Sequence, residues 1–279
     1  MKKLMLAAMA AAMNILSVNA TISDTLSIDG SVGKLFAIVE RPAYSGQVPL
    51  AIICHGFSGN CQTPFMTDLS GSIVSQGIAT LRFDFNGHGR SEGEFKNMTV
   101  LNEIEDLKDV ISWAQQQPWV KDISLVGHSQ GGVVVSMVSG ELGDKVIKSE
   151  VLLAAAAVLR DDALRGNTMG AVYNPWNFKG DYIELPHSPE AGALLLGKNY
   201  VETAIHLPIY ETAANYNGPA LIVQGTHDQI VPYTYAERYH EKIPNSELKL
   251  IPDENHVFTK TQKETSVLVA DWLHGILFK

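Results

Sequence analysis

Cysteine is scarce in this 279-residue chain: Cys54 and Cys61 are the two it has. That excludes a disulfide-stapled scaffold. Nor is there an H-E-x-x-H or a Cys/His ligand spacing, so no metal site is expected. Cys54 ends an apolar run and Cys61 lies in the loop after it, a placement that works against a bridge between them. Basic residues are outnumbered, with 21 Lys and Arg against 30 Asp and Glu and a formal net charge of -9. No Lys/Arg cluster offsets this, so nucleic acid is excluded as an expected partner. The P-loop lysine and the dinucleotide-binding glycine pattern are also missing, and no cofactor is expected. No apolar run reaches the roughly 20 residues needed to cross a bilayer, so stable membrane insertion is not expected. There are no internal repeats and no low-complexity tracts.

What is present is an ordinary globular composition, 46% hydrophobic and 18% charged, enough for one large core. The first 20 residues read as a signal peptide: Lys2 and Lys3 as the positive region, Leu4 to Leu16 as the apolar region, and Val18 and Ala20 as small residues before a cleavage site. The expectation is export, to the periplasm or the medium, and a mature domain over residues 21–279.

Along that domain, strand and helix patterns alternate. Ile22 to Ile28 and Leu35 to Glu40 read as strands joined by a glycine-containing turn. Pro49 to Cys54 (PLAIIC) is continuously apolar, as a strand covered on both faces requires. Pro64 to Gln76 fits a helix, Ile78 to Phe83 a strand, and Thr99 to Gln117 a helix with Thr99 as N-cap. Ile123 to Val126, Glu150 to Ala156, Ala220 to Gln224 and Leu248 to Ile251 read as further strands. Gly131 to Leu142, Tyr233 to Lys242 and Gln262 to Phe278 read as helices. The pattern predicts an α/β class fold, a mostly parallel central sheet flanked by helices. Between about 158 and 217, Pro175, Pro186, Pro189 and Pro208 break up a segment of weak periodicity, read as an insertion over the site.

Gly127-His128-Ser129-Gln130-Gly131 matches the G-x-S-x-G nucleophile elbow, and a buried strand precedes it while a helix follows it, as that motif needs. A serine hydroxyl requires a base. His256, after Leu248 to Ile251 and before the last helix, is the candidate. His128 sits inside the elbow with its side chain expected to point away from the nucleophile. His55, His88, His187, His206, His227, His240 and His274 are read as solvated or core histidines. The acid that orients the base is Asp228, after the strand ending at Gln224, which completes the order Ser, Asp, His expected for this arrangement. Asp253 and Glu254 are rivals on the loop of His256. For the oxyanion, the amides of Gln130 and of Phe57 are the candidate donors, with Gly56 letting the backbone bend toward the site. Arg82 to Ser91 is read as a structural glycine-rich loop.

The set HGF, DFNGHGRSEG, GHSQGG, GTHDQIVP and ENHVF resembles the α/β-hydrolase superfamily across almost the whole mature chain. Within the insertion, Asp161 to Gly170, Tyr173-Asn174-Pro175 and Leu207 to Glu211 resemble bacterial cinnamoyl (feruloyl) esterases. This resemblance implies release of hydroxycinnamic acids from plant cell-wall esters, with the insertion forming the acyl pocket. It also implies that Asp162 hydrogen-bonds the phenolic hydroxyl of the substrate and that Tyr200 assists. The chain departs from the family at Met169, where family members often carry Gln. A thioether cannot replace the amide's donor and acceptor, which bears on preference for the free phenol. The partner implied is a small-molecule or oligosaccharide ester. A short-chain carboxylesterase, lipase or peptidase of the same fold is the alternative, and a non-catalytic binding protein on a hydrolase scaffold is a third. Oligomeric state stays open, a homodimer included.

Overall fold

A computed structural model describes residues 21–43, 46–186 and 194–279. The signal-peptide segment and His187 lie outside the described residues. In chain order the elements begin with β1 (Thr21–Asp29), β2 (Lys34–Pro42), β3 (Val48–Cys54), α1 (Pro64–Ser75) and β4 (Ala79–Phe83). They continue with α2 (Val100–Gln115), β5 (Val120–His128), α3 (Gln130–Leu142), β6 (Ile147–Leu153) and α4 (Val158–Arg165). Short pieces follow: β7 (Asn167–Thr168), β8 (Ala171–Val172), β9 (Tyr182–Glu184), β10 (Leu195–Gly197), α5 (Lys198–Ala204) and α6 (Ile209–Ala213). The chain ends with β11 (Ala220–Gly225), α7 (Thr234–Lys242), β12 (Ser246–Ile251) and α8 (Gln262–Leu277).

The main sheet runs β1-β2-β4-β3-β5-β6-β11-β12. It is parallel from β4 to β12, and β1 and β2 add an antiparallel edge. The apolar run in β3 follows from double cover. Leu50, Ile52 and Cys54 enter a core layer shared with Ile104, Leu107, Val134 and Val138 of α2 and α3. Ala51 and Ile53 alternate to the other face, where Leu69 and Ile73 of α1 meet Val269 and Leu273 of α8. Two-residue alternation therefore buries every position of the strand. Thr99 caps α2 as expected, its hydroxyl accepting from the amide of Asn102 at 3.1 Å.

The two cysteines are unbridged and buried. Cys54 belongs to the layer just described, whereas Cys61 packs with Phe36 and Ile38. Burial raises both thiols above their ordinary range, which makes them inert.

The segment between β6 and β11 explains its own weak periodicity. Its strands are two or three residues long, too short to display a period. β7 and β8 pair through a turn made of Met169 (φ 50) and Gly170 (φ 85), the two positive-φ positions of a tight hairpin turn. Asn is the usual residue at the first of these positions, and Met169 stands there instead. Among the described residues no helix is long and apolar enough to cross a membrane.

Candidate active site

Ser129 sits between the last residue of β5 and the first of α3 at φ 56, ψ -122. An L-residue in that region is strained by about 1–3 kcal/mol, and it persists only where its surroundings over-determine it. Here they do. The amide of Ser129 donates to the carbonyl of Leu153, and its own carbonyl accepts from Gly132 and from Ala156, each at 2.9 Å. A Cβ at Gly127 would run into the carbonyl of Gly131, so the elbow closes only with glycine there. Gly56 turns out to serve closeness rather than bending: its φ is not positive, and a Cβ added to it would lie 2.8 Å from the Cβ of Ser129.

Three side chains far apart in sequence converge. Ser129 Oγ lies 2.9 Å from His256 Nε2, and His256 Nδ1 lies 2.7 Å from Asp228 Oδ2. All three residues are buried. Asp228 also accepts from the amides of Ile230 and Val231 at 2.9 Å each and from Gln224 Nε2 at 2.8 Å. Burial alone would raise its carboxyl, yet the hydrogen bond and charge of His256 together with the Val231 and Ile230 amides outweigh it and hold the group below its ordinary value. An ionised Asp228 fixes the proton of His256 on Nδ1, which leaves Nε2 as the acceptor for the serine hydroxyl. Of the two rival acids, Glu254 is spent on its own loop, accepting from the amides of Asn255 and Lys260 and the hydroxyl of Thr261. Asp253 enters the network through its backbone, its amide donating to Thr226.

Several supporting residues gave no signal of their own in the sequence. His128 Nε2 donates to the carbonyl of His256 at 2.9 Å, so the elbow holds the loop of the base. It bonds main chain and not Ser129, as expected, although it borders the same cavity. His55 accepts from the amide of Phe85 through Nε2 and donates from Nδ1 to the carbonyl of Gly56. Phe57 stands edge-on to Phe95, Phe95 to His88, and the His88 ring tilts against His55. The loop carrying Phe57 therefore rests on a shelf of rings. Among the described residues, neither the amide of Phe57 nor that of Gln130 donates to another protein group. The amide of Gln130 is an orphan at the start of α3 in any case.

The cavity over Ser129 has a volume of about 610 Å³, and its apolar wall includes Phe57, Phe65, Met66, Met169, Ile230 and Val257. A second cavity of about 710 Å³ meets it at Met169 and Ile230, and it is bordered by Asp162, Arg165 and Tyr235. Asp162 therefore lies beyond Met169, half-buried and ion-paired with Arg165. Burial raises the Asp162 carboxyl, with Arg165 opposing. The expectation for Tyr200 requires correction. This ring is 2% exposed and lines neither cavity. Its hydroxyl donates to Gln130 Oε1 at 2.8 Å, so it is not free for a substrate. Among the described residues no group of three or more His, Cys, Asp or Glu is placed to hold a metal ion.

The buried ionisable groups around this site make the pH dependence of stability predictable. Burial pushes His55, His88 and His128 down to about 4, 3 and 3. It pushes Glu103, Asp106 and Glu150 up to about 8, 7 and 8. Below about pH 6.5 the unfolded chain gains histidine protons that the folded chain refuses, so stability falls with falling pH. Above about pH 4.5 the folded chain keeps carboxyl protons that the unfolded chain has lost, so stability falls with rising pH. The two slopes offset between about pH 4.5 and 6.5, and thermal unfolding midpoints should show a plateau there with a falling limb on each side. Glu150→Gln should shallow the alkaline limb between pH 6.5 and 8. A wild-type midpoint that holds level from pH 6.5 to 8 contradicts this.

Residues 48–176 match the family described as serine aminopeptidase S33, and residues 174–260 match the family described as alpha/beta hydrolase fold. The chain has the α/β-hydrolase fold. A structure of Est1E from Butyrivibrio proteoclasticus with ferulic acid bound superposes on the hydrolase with a TM-score of 0.85. It is 29% identical and covers 91% of this chain and 100% of that one. A second Est1E structure gives 0.81, 26% identity and coverage of 91% and 99%. Among curated sequences, the Escherichia coli "Uncharacterized 31.7 kDa protein in traX-finO intergenic region" is 34% identical over 114 residues, 40% of each chain. The hydrolase spans 40% to 57% of the length of the first curated relatives it matches. Together these similarities show the α/β-hydrolase fold, with Est1E bound to ferulic acid among its structural neighbours.

Proposed function

We propose that this hydrolase cleaves carboxylic esters of hydroxycinnamic acids through an acyl-enzyme on Ser129. The observation that carries the reading is the unbroken line Ser129–His256–Asp228, opening onto an apolar cavity beside two uncommitted amides. His256 takes the proton of Ser129 as its oxygen attacks the ester carbon. The amides of Phe57 and Gln130 receive the oxyanion. Protonated His256 then gives its proton to the departing alcohol, and water repeats the sequence to free the acid. No step requires a metal or a cofactor.

The acyl group fits a path from Ser129 past Met169 to Asp162. Its ring lies against the apolar wall, and a 4-hydroxyl at its far end donates to the Asp162 carboxylate, which is ion-paired with Arg165. Similarity to Est1E solved with ferulic acid supports this choice of acyl group. Met169 at the junction of the cavities offers a thioether and no donor, so discrimination against a methylated phenol rests on Asp162. The enzyme acts after export through residues 1–20, on a small or oligosaccharide ester.

Asp162→Ala is expected to raise KM for methyl p-coumarate by about 10-fold or more, the value of one hydrogen bond to a charged group. It should leave p-nitrophenyl acetate unaffected. Equal losses on both esters would remove Asp162 from the acyl site. The match of residues 48–176 to a serine aminopeptidase family favours a peptidase as the second reading. A panel of methyl hydroxycinnamates, short alkyl esters and aminoacyl anilides separates the two, and turnover of the anilides alone would replace the first reading by the second.

A further inference from the structure

The two ends of Gln130 lead in different directions. Its main-chain amide is the first donor of α3. Its side chain runs into the core, where Gln130 and Glu103 are 2% and 1% exposed. There Nε2 donates to Glu103 Oε2 at 2.8 Å and approaches Met98 Sδ at 3.6 Å. Oε1 accepts from the Tyr200 hydroxyl at 2.8 Å. The carboxamide is thus gripped from both sides, by α2 through Glu103 and by the inserted segment through Tyr200 on α5. Tyr200 makes a second contact of consequence. Its ring stands edge-on to Phe57, centroids 5.8 Å apart at 70°, while Phe95 holds Phe57 at 5.3 Å and 83°. The start of α5 is set close to this shelf, because a Cβ at Gly197 would run into the carbonyl of Lys96. One residue of the insertion therefore touches both residues whose amides are the proposed oxyanion donors.

We propose that Glu103, the Gln130 side chain and Tyr200 form a positioning relay through which the inserted segment holds the oxyanion-binding amides of Gln130 and Phe57, so that the insertion sets the rate for every ester hydrolysed at Ser129. The proposal rests on the esterase reading of the site but not on the identity of the acyl group. Oxyanion donors act by being placed before charge develops, and a shift of about 1 Å in a reacting group can cost about 100-fold in rate. Tyr200 is a positioning residue on this account, with no contact to substrate.

Tyr200→Phe removes the hydroxyl and keeps the ring. Steady-state kinetics on methyl ferulate and on p-nitrophenyl acetate should both show kcat lowered by about 10-fold with KM changed less than about twofold. Glu103→Leu should reproduce this loss, and Glu103→Gln, which keeps an acceptor for Gln130, should restore most of it. The Tyr200→Phe/Glu103→Leu double variant should lose little more than either single one, because both act through Gln130. A KM increase confined to methyl ferulate would place Tyr200 on the substrate ring and overturn the proposal. So would unchanged kcat on both esters in a variant whose thermal unfolding shows it folded. If Tyr200→Phe does not fold, the Glu103→Leu and Glu103→Gln pair decides. Wild-type turnover of p-nitrophenyl acetate without turnover of methyl ferulate would reject the hydroxycinnamate reading alone, and the relay would then be read on the acetate. If no ester is turned over, the esterase reading fails, and the rate of fluorophosphonate labelling of Ser129 decides. Slower labelling in Tyr200→Phe supports the relay, and an equal rate overturns it.

Discussion

Ser129→Ala should lower turnover of methyl ferulate by about 10⁴- to 10⁶-fold and abolish labelling by a fluorophosphonate probe. The magnitude follows from what the hydroxyl alone supplies. Its Oγ is the atom within reach of His256 Nε2, and without it water must attack directly, helped by the oxyanion amides and by binding alone. The fold should survive the change. The hydrogen bonds that hold residue 129 in its strained conformation come from its amide and carbonyl, both of which alanine retains. The thermal unfolding midpoint is therefore expected to move by no more than a few degrees, since the lost contact is one hydrogen bond of about 1 kcal/mol. Activity within about tenfold of wild type would show that another residue carries the nucleophile, and the candidate site would be wrong.

Asp228→Asn is expected to lower kcat by about 10⁴-fold near neutral pH with a smaller effect on KM. The site explains why so small a change is costly. Oδ1 accepts two backbone amides, from Ile230 and Val231, which hold the amide oxygen of an asparagine on that side. The NH2 group is then turned toward His256 Nδ1 and the Gln224 amide, where donors already point. His256 answers by moving its proton to Nε2, the tautomer that cannot accept from Ser129. The imidazolium formed during attack also loses its counter-charge. A thermal unfolding midpoint near that of the wild type, beside the lowered kcat, distinguishes this from a simple loss of structure. If Asp228→Asn kept a tenth or more of the wild-type kcat, the orienting acid would have to be sought elsewhere.

Elements that carry their own local signal are legible in the sequence. The continuous apolar run of β3, the Thr99 cap of α2 and the strand-turn-helix around Ser129 are patterns of at most a dozen neighbouring residues, and each appears in the structure as expected. β5 and β6 extend three residues beyond their expected starts, at Val120 and Ile147. Their first turns of ladder include polar positions, which sheet pairing tolerates and an apolar-run criterion omits. The insertion was legible only as an interruption. Its two- and three-residue strands leave no period, and its packing partners, such as Phe57 and Gln130 for Tyr200, come from distant segments.

What the sequence by itself determined was the architecture and which three side chains, Ser129, His256 and Asp228, would meet. Period, caps and small residues act over short stretches, and the chain order of Ser129, Asp228 and His256 follows the order of the strands that deliver them. What only the tertiary structure decided was the use of the supporting side chains. Tyr200 bonds the Gln130 side chain and stands against Phe57, Asp162 is shared with Arg165, and His128 grips the loop of His256. Each of these depends on which polar atom is nearest once the sheet has closed and water has left. A buried hydroxyl or carboxamide takes whatever partner the fold brings within about 3 Å, and spacing along the chain says nothing about that distance.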